Sequence, residues 1–264
     1  WGWGEYKSRI GWDVIRVFVK GNGSNEIIAA LQVQVKKKGP VKIILVQGGV
    51  HLSNVSENHC VDLFNELHNK YLNLGWSDVL LINYYESVSD LHVRSMMRLG
   101  YQPYINNKMY SFYIFFSESD FEDGFSKNWR HNLKRARKNE ALVVRWCESV
   151  NDRIEAFTTL EGMYEKLTVR KSFSSAIDTS KIKDMIVYDK NFLIAVAEDN
   201  GVPVAVRVAY RTSKCVTDFL AASNHLAKKN YANYLILWSL IKKSEDLDVE
   251  GFECGGIDPF GNTG

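Results

Sequence analysis

The chain has 264 residues, 45% of them hydrophobic and only four of them proline, which is enough apolar material for two packed cores. Its 33 Lys plus Arg against 31 Asp plus Glu leave a net charge of +2, so no whole-chain electrostatic argument for nucleic acid or membrane stands, and any such argument must be local. The apolar runs, such as Val41 to Val46 and Val79 to Ile82, are far short of the roughly 20 residues of a membrane-crossing helix.

The opening residues Trp1-Gly-Trp-Gly-Glu-Tyr-Lys7 lack the basic and then apolar pattern of a secretory signal. Cys60, Cys147, Cys215 and Cys254 are scattered without a Cys-x-x-Cys pair, which fits free thiols in a reducing cytoplasm. His59 and His68 have no ligand partners at suitable spacing, so no metal site is expected.

In chain order, the apolar pattern of Gly11 to Val19, the turn residues Gly21-Asn22-Gly23-Ser24 and the run Ile27 to Val35 predict a β-hairpin. Val41 to Gln47 reads as a third strand. Val61, Phe64, Leu67, Tyr71 and Leu74 then fall at three- and four-residue steps, predicting a helix over 56–74, and Gly75 ends it. Asp78 to Asn83 is a short buried strand by its contiguous Val-Leu-Leu-Ile.

A helix near 87–99, a strand at Tyr110 to Phe116, a long helix over about 117–139, a strand at Ala141 to Trp146 and a helix over 152–171 follow. The first order of elements then recurs: Phe192 to Glu198, the turn Asp199-Asn200-Gly201, Val202 to Arg211, Lys214 to Ala221, a helix over about 229–243 and a strand at Glu250 to Cys254. Two copies of hairpin, strand, helix and strand predict a duplicated α/β unit. The boundary is expected near Glu140, giving a first domain of residues 1–140 that includes the basic helix and a second of residues 141–264.

The most distinctive local feature is Ser126-Lys-Asn-Trp-Arg-His-Asn-Leu-Lys-Arg-Ala-Arg-Lys-Asn139. Trp129, Leu133 and Ala136 share one helical face, while Lys127, Arg130, Lys134, Arg135, Arg137 and Lys138 carry positive charge without an intervening carboxylate. Such a helix is either an ordinary solvated face or an anion site for a phosphate backbone or a lipid head. Phe252-Glu-Cys-Gly-Gly-Ile-Asp258 follows a strand, and Gly255-Gly256 either makes a plain turn or lets a ligand approach the backbone beyond the strand's carboxyl end. Trp1, Trp3, Tyr6 and Trp12 near Lys7, and Tyr231, Tyr234 and Trp238 at helical spacing, read first as core. Phosphate-loop, nucleophile-elbow and dinucleotide-binding motifs are absent, and Ala227-Lys-Lys-Asn-Tyr-Ala-Asn233 has no glycine to cradle a coenzyme A pyrophosphate.

Trp3-Gly-Glu-Tyr-Lys7 with Gly11-Trp12, the Trp129 to Lys138 stretch, Tyr231-Ala-Asn-Tyr234 and Glu253-Cys-Gly-Gly-Ile-Asp258 occur in the order seen in the FemABX peptidyltransferases, and over nearly its whole length the chain resembles that family and its GNAT-like relatives. The resemblance implies an α/β (α+β) fold of two tandem GNAT-like domains, with mixed sheets flanked by helices. It implies an aminoacyltransferase that moves an amino acid from aminoacyl-tRNA to an amine of a nucleotide- or lipid-linked peptidoglycan precursor during cell-wall biogenesis, in the cytoplasm or at the inner face of the membrane.

By that similarity the substrate-binding set is Lys7, Arg170, Tyr231, Tyr234, Glu253, Gly255, Gly256 and Asp258, with Lys171 the alternative to Arg170. Arg130, Lys134, Arg135, Arg137 and Lys138 would contact tRNA or a lipid head. No catalytic residue is assigned, and no cofactor is implied beyond aminoacyl-tRNA as co-substrate. The sequence departs from the family pattern at Glu253, where Asp is usual, at Asn233, where Pro is common, and in ending at Gly264 before a Phe-Lys motif associated with acyl transfer. A C-terminally truncated second domain is therefore expected. Two alternatives stand beside this reading: an acetyl-CoA-dependent N- or O-acyltransferase of a surface polysaccharide, and a non-catalytic module that binds RNA or anionic lipid.

Overall fold

The computed structural model describes residues 2–21, 26–48, 51–52, 61–62, 64–66, 68–69, 74–83, 90–103, 110–117, 121–171 and 177–257. They form two compact units, Trp1–Asn106 and Asn107–Gly264.

The first unit opens with helix α1 (Gly2–Arg9), followed by strands β1 (Asp13–Lys20), β2 (Ile27–Lys38), β3 (Val41–Gln47), the two-residue β4 (His51–Leu52) and β5 (Asp78–Asn83), and then helix α2 (Asp90–Arg98). The sheet order is β1-β2-β3-β5, with β4 also beside β2. β1 and β2 pair antiparallel from Asp13↔Val35 onward, and Gly21 N–H donates to Glu26 O across the expected hairpin turn. The turn residues 22–24 themselves lie outside the described residues.

β3 and β5 run parallel with Lys42↔Asp78 through Gln47↔Asn83 in register, and β5 is not the buried strand expected, since Val79 and Leu81 are exposed on one face while Leu80 and Ile82 pack on the core. A parallel return needs a crossover, and the chain is helical at the described positions between Val61 and Asn69, where Phe64 is buried. Phe64 packs with Val17, Ala29, Leu31, Val33, Ile44 and Val46 into one core, as the three- and four-residue spacing requires. Leu67 and Tyr71 of the same expected face lie outside the described side chains.

The second unit contains β6 (Tyr110–Phe115), α3 (Lys127–Arg137), β7 (Leu142–Trp146), α4 (Val150–Lys171), α5 (Thr179–Tyr188), β8 (Phe192–Asp199), β9 (Val202–Arg211), β10 (Cys215–Ser223), α6 (His225–Lys229), α7 (Ala232–Glu245) and β11 (Gly251–Ile257). Its six strands lie in the order β6-β11-β10-β9-β8-β7, antiparallel except for the parallel pair β10 and β11. The β8–β9 turn places Asn200 at φ 51° and Gly201 at φ 76°, the left-handed pair that the Asn-Gly sequence supplies. The duplication is therefore present in the fold: each unit has a hairpin, a third strand, and a final strand that returns parallel to the third.

α7 covers one face of the second sheet, burying Ala232 and Ile236 against Ala195, Ala197, Val204 and Ala205, and Leu240 and Ile241 against Ala209, Val216 and Phe252. Ile194, Val196, Val206 and Val208 are equally buried, because α4 packs against β8, β9 and β10. Both faces are covered, so these strands are continuously apolar.

The compact units divide earlier than the boundary expected near Glu140. β6 hydrogen-bonds β11, with Phe252↔Ile114 and Glu253↔Tyr113 in register, and α3 packs on α7. The basic helix is also shorter than the span 117–139: Ser126 Oγ accepts from Trp129 N–H at 3.2 Å, and the helix starts there after a turn at 121–124. α5 has no counterpart among the expected elements. Its amino end is capped by Asp178, and its carboxyl end is held by the buried Arg153 of α4.

The Arg153 guanidinium donates to the carbonyls of Ile186, Val187, Asp189 and Phe192 at 2.5–2.9 Å, satisfying in Ile186 and Val187 acceptors of the kind that a helix's last turn leaves unpaired and tying that turn to the start of β8. Arg153→Met retains much of the stem but strands those carbonyls, so we expect the unfolding free energy to fall by about 3 kcal/mol. The expected readout is a lower urea midpoint at constant slope, with Arg153→Lys recovering only part of it. An unchanged midpoint would contradict the capping role.

Candidate functional site

In the first unit, α1 is fixed by buried Tyr6 and by Trp3, whose Nε1 donates to Gln47 Oε1 at 2.8 Å. One turn on from Trp3, Lys7 has its Nζ 5.0 Å from the Trp3 ring centroid and 5.2 Å from that of Trp12. Lys36 Nζ lies 5.6 Å from the same Trp12 centroid and donates to Ile10 O at 3.3 Å. Two ammonium groups thus share one indole. Burial, and then the neighbouring Lys36, push the Lys7 pKa below the ordinary lysine value. The indoles offset part of that cost, and an anion beside both ammonium groups would offset more. Lys36 was not separable in sequence from Lys37 and Lys38, because the run reads as a solvated strand end.

In the second unit, α3 lies against α7 through aromatic contacts. Trp129 stacks on Phe125 at 4.2 Å between centroids and meets Tyr234 at 5.9 Å and Trp238 at 6.1 Å. Leu133 and Ala136 are buried beneath. Tyr234 and Trp238 therefore serve as packing partners, as their helical spacing led one to expect.

The cations of α3 divide into distinct settings. Arg130 pairs with Asp123 at 3.0 Å and Arg137 with Glu122 at 3.5 Å, so the turn before the helix supplies carboxylates that the stretch itself lacks. Arg137 also lies 5.0 Å from the Trp238 centroid. Arg135 Nη1 donates to the Tyr231 hydroxyl at 2.6 Å. Arg135 and Lys138 line an open cavity of about 440 Å³ together with Asn139, Lys229, Asn230 and Tyr231. Lys134 is exposed and does not line this cavity.

The cavity wall includes the start of α7. Tyr231 sits at φ 63°, and Asn230 Oδ1 accepts from Ala232 N–H at 3.1 Å while its amide donates to Asp199 Oδ2 at 3.0 Å. Three side-chain cations and the positive end of a 14-residue helix therefore meet there. The wall is thus cationic and built from side chains. Sequence reasoning missed Asn139, and with it Lys229 and Asn230. The glycine-free segment 227–233, read as the absence of a pyrophosphate loop, was the signal that could have found the last two.

The third locus is the end of the β10–β11 pairing. The parallel ladder spans only Cys215–Thr217 against Gly251–Glu253. β10 then shifts register between Asp218 and Leu220, and β11 between Glu253 and Gly256. Gly255 has φ 74°, and a Cβ there would stand 2.9 Å from Asp218 O, so both conformation and close approach demand glycine. Glu253 accepts from Thr217 Oγ1 at 3.0 Å, which ties the expected substrate-binding carboxylate into the sheet. Arg207 and Asp218 form a largely buried pair at 3.5 Å near Cys254. Gly256 lies in β11 and Arg170 and Lys171 in the last turn of α4, the latter two with side chains outside the described residues, as is Asp258. Among the described residues, no cluster of His, Cys, Asp or Glu could hold a metal ion.

No protein-family model matches the chain, and none of the curated proteins matches it. Solved structures do. FemX superposes with a TM-score of 0.80 at 13% identity, over 99% of this chain and 84% of that one. The C-terminal DUF2156 domain of a putative lysylphosphatidylglycerol synthetase from Agrobacterium fabrum gives 0.61 at 13% identity, over 95% of this chain and 73% of that one. A tandem GNAT protein from the clavulanic acid biosynthesis pathway gives 0.53 at 11% identity, over 95% of this chain and 76% of that one. The chain thus has the tandem GNAT-like fold that FemX also has.

Proposed function

We propose that this protein is an acyltransferase of the aminoacyl kind, moving an amino acid from aminoacyl-tRNA to an amine of a peptidoglycan precursor on the cytoplasmic side of the membrane. The observation that carries this reading is the cationic cavity at the start of α7. Arg135, Lys138 and Lys229 stand where a glycine-rich backbone loop would be needed to wrap a pyrophosphate, and exposed long cations suit a phosphodiester strand. The FemX-like fold and the sequence resemblance to the FemABX family support it.

The chemistry asks for no metal. The precursor amine attacks the ester carbonyl, the new C–N bond forms, and the ester C–O bond breaks. The proton lost by the amine ends on the ribose oxygen of the terminal adenosine. The protein's task is then to orient the two partners and to stabilise the oxyanion. Lys7, with Lys36 beside it, is the proposed contact for the precursor's phosphates, and Arg170 the further one. Among the described residues, no helix is long and apolar enough to cross a membrane.

Incubating the protein with charged tRNA or with acetyl-CoA, each with a panel of precursors, tests the donor directly. Transfer from aminoacyl-tRNA is expected, and transfer from acetyl-CoA alone would sink the reading. Lys138→Ala with Lys229→Ala should raise the KM for charged tRNA about tenfold and reduce the steepness of its salt dependence by roughly the two lost contacts. An unchanged salt dependence would remove the cavity from the donor path. Lys7→Ala should instead raise the KM for the precursor by about tenfold and leave that for tRNA unchanged; a rise in the tRNA KM of equal size would contradict the assignment of Lys7 to the acceptor.

A further inference from the structure

Arg207 and Asp218 are a largely buried charged pair of the second sheet that the proposed function leaves unused. Both lie on the face covered by α7, since Arg207 alternates with Ala205 and Ala209, which pack in the α7 clusters. Their side chains are only 16% and 14% exposed, and the pair stands 3.5 Å apart from Nη1 to Oδ2, beyond good hydrogen-bond geometry. Arg207 Nη1 and Asp218 Oδ1 are fully buried and without a hydrogen-bond partner among the described residues. Leaving a donor and an acceptor unpaired costs stability, and a pair kept only for structure would close both gaps in a bidentate contact.

The location gives the gaps a use. They sit where β10 and β11 part, beyond three parallel residue pairs, with a register shift in each strand. Bulges re-aim side chains, and the carboxyl ends of parallel strands are where α/β sheets receive ligands. Cys254, on the same wall, has its thiol pushed up to about 11 by burial and by Asp218, so near neutral pH it is a neutral lining group and not a nucleophile. What the wall offers is one buried donor beside one buried acceptor.

We propose that Arg207 and Asp218 form a two-point clamp for an α-aminoacyl group, Arg207 Nη1 donating to the acyl carbonyl oxygen and Asp218 Oδ1 accepting from the α-ammonium. An α-aminoacyl ester carries that acceptor and that donor on adjacent carbons, whereas an acetyl group carries the acceptor alone. The clamp therefore selects the donor class as well as holding it. Burial raises the Asp218 pKa and Arg207 opposes the rise, and an ammonium at Oδ1 would hold the carboxylate ionised. This inference rests on the aminoacyl-donor reading and deepens it by naming the residues that read the amino group.

The test is calorimetric binding of a hydrolysis-resistant 3′-alanylamino-3′-deoxyadenosine and of its N-acetylated form to the protein. The wild type should bind the free amine at least about tenfold more tightly, as one charge-assisted contact warrants. Asp218→Asn, close to isosteric, should bring the two within about twofold, chiefly by weakening the free amine. Arg207→Lys, read in parallel in case the first variant fails to fold, should weaken both compounds by a similar factor and keep the preference for the amine. Equal binding of both compounds by the wild type, equal weakening of both by Asp218→Asn, or no effect of Arg207→Lys would overturn the clamp. Failure of the wild type to bind either compound would overturn it too, and transfer from charged tRNA reports separately whether the donor reading survives.

Discussion

A strand that returns parallel to its neighbour cannot do so through a tight turn; it needs a crossover, and the crossover must cover the sheet. That constraint organises both halves of this chain. In the first half β5 follows β3 in register for six residue pairs, so the sheet runs as a continuous layer out to β5. In the second half β11 follows β10 for three pairs and the two strands then part. The crossover helix α7 must start close to the carboxyl end of β10, which brings the positive end of the helix and its capping Asn230 to the wall of the basic cavity. The same repeated unit is thus finished with a full parallel pair in one copy and with a pair that parts within the sheet in the other.

Glycines decide how the parted strand pair is built. At Gly251 any Cβ would collide with Ile114 O and the Tyr113 ring, so β11 can lie between β6 and β10 only with glycine there. Gly255 then turns the chain past Asp218 O. Around this backbone the charges are sorted by their surroundings. Exposed Arg130 and Arg137 meet carboxylates in weak surface pairs, Arg153 is consumed by four carbonyls, and Arg207 is left with an unpaired donor. Equal residue types therefore carry unequal meaning, and burial with partner count separates them.

Much of the fold was legible because its signals are local. The strand pattern of the hairpins, the Asn200-Gly201 turn and the helical spacing of Phe64 each act within a few residues, and their recurrence exposed the duplication. The division of the units was not legible. β6 reads as a strand next to the first half, yet its hydrogen-bond partner is β11, far along the chain, and no local pattern encodes that pairing. The basic helix was overextended for a related reason: Phe121 and Phe125 continue its apolar pattern, but they pack on Trp238 from a turn. Of the site, the resemblance pointed to Lys7, Tyr231 and Gly255. Lys36 and Lys229 sit in ordinary lysine runs, Arg207 and Asp218 are lone charges within strands, and only the fold brings each beside its neighbours.

The central claim is that the cavity beside α7 receives the acceptor stem of a charged tRNA. Photocrosslinking from a 4-thiouridine placed near the 3′ end of aminoacyl-tRNA, followed by mass-spectrometric mapping, tests it most directly. The account predicts attachment within residues 135–139 and 229–231. Crosslinks confined to other surfaces of the protein would contradict it.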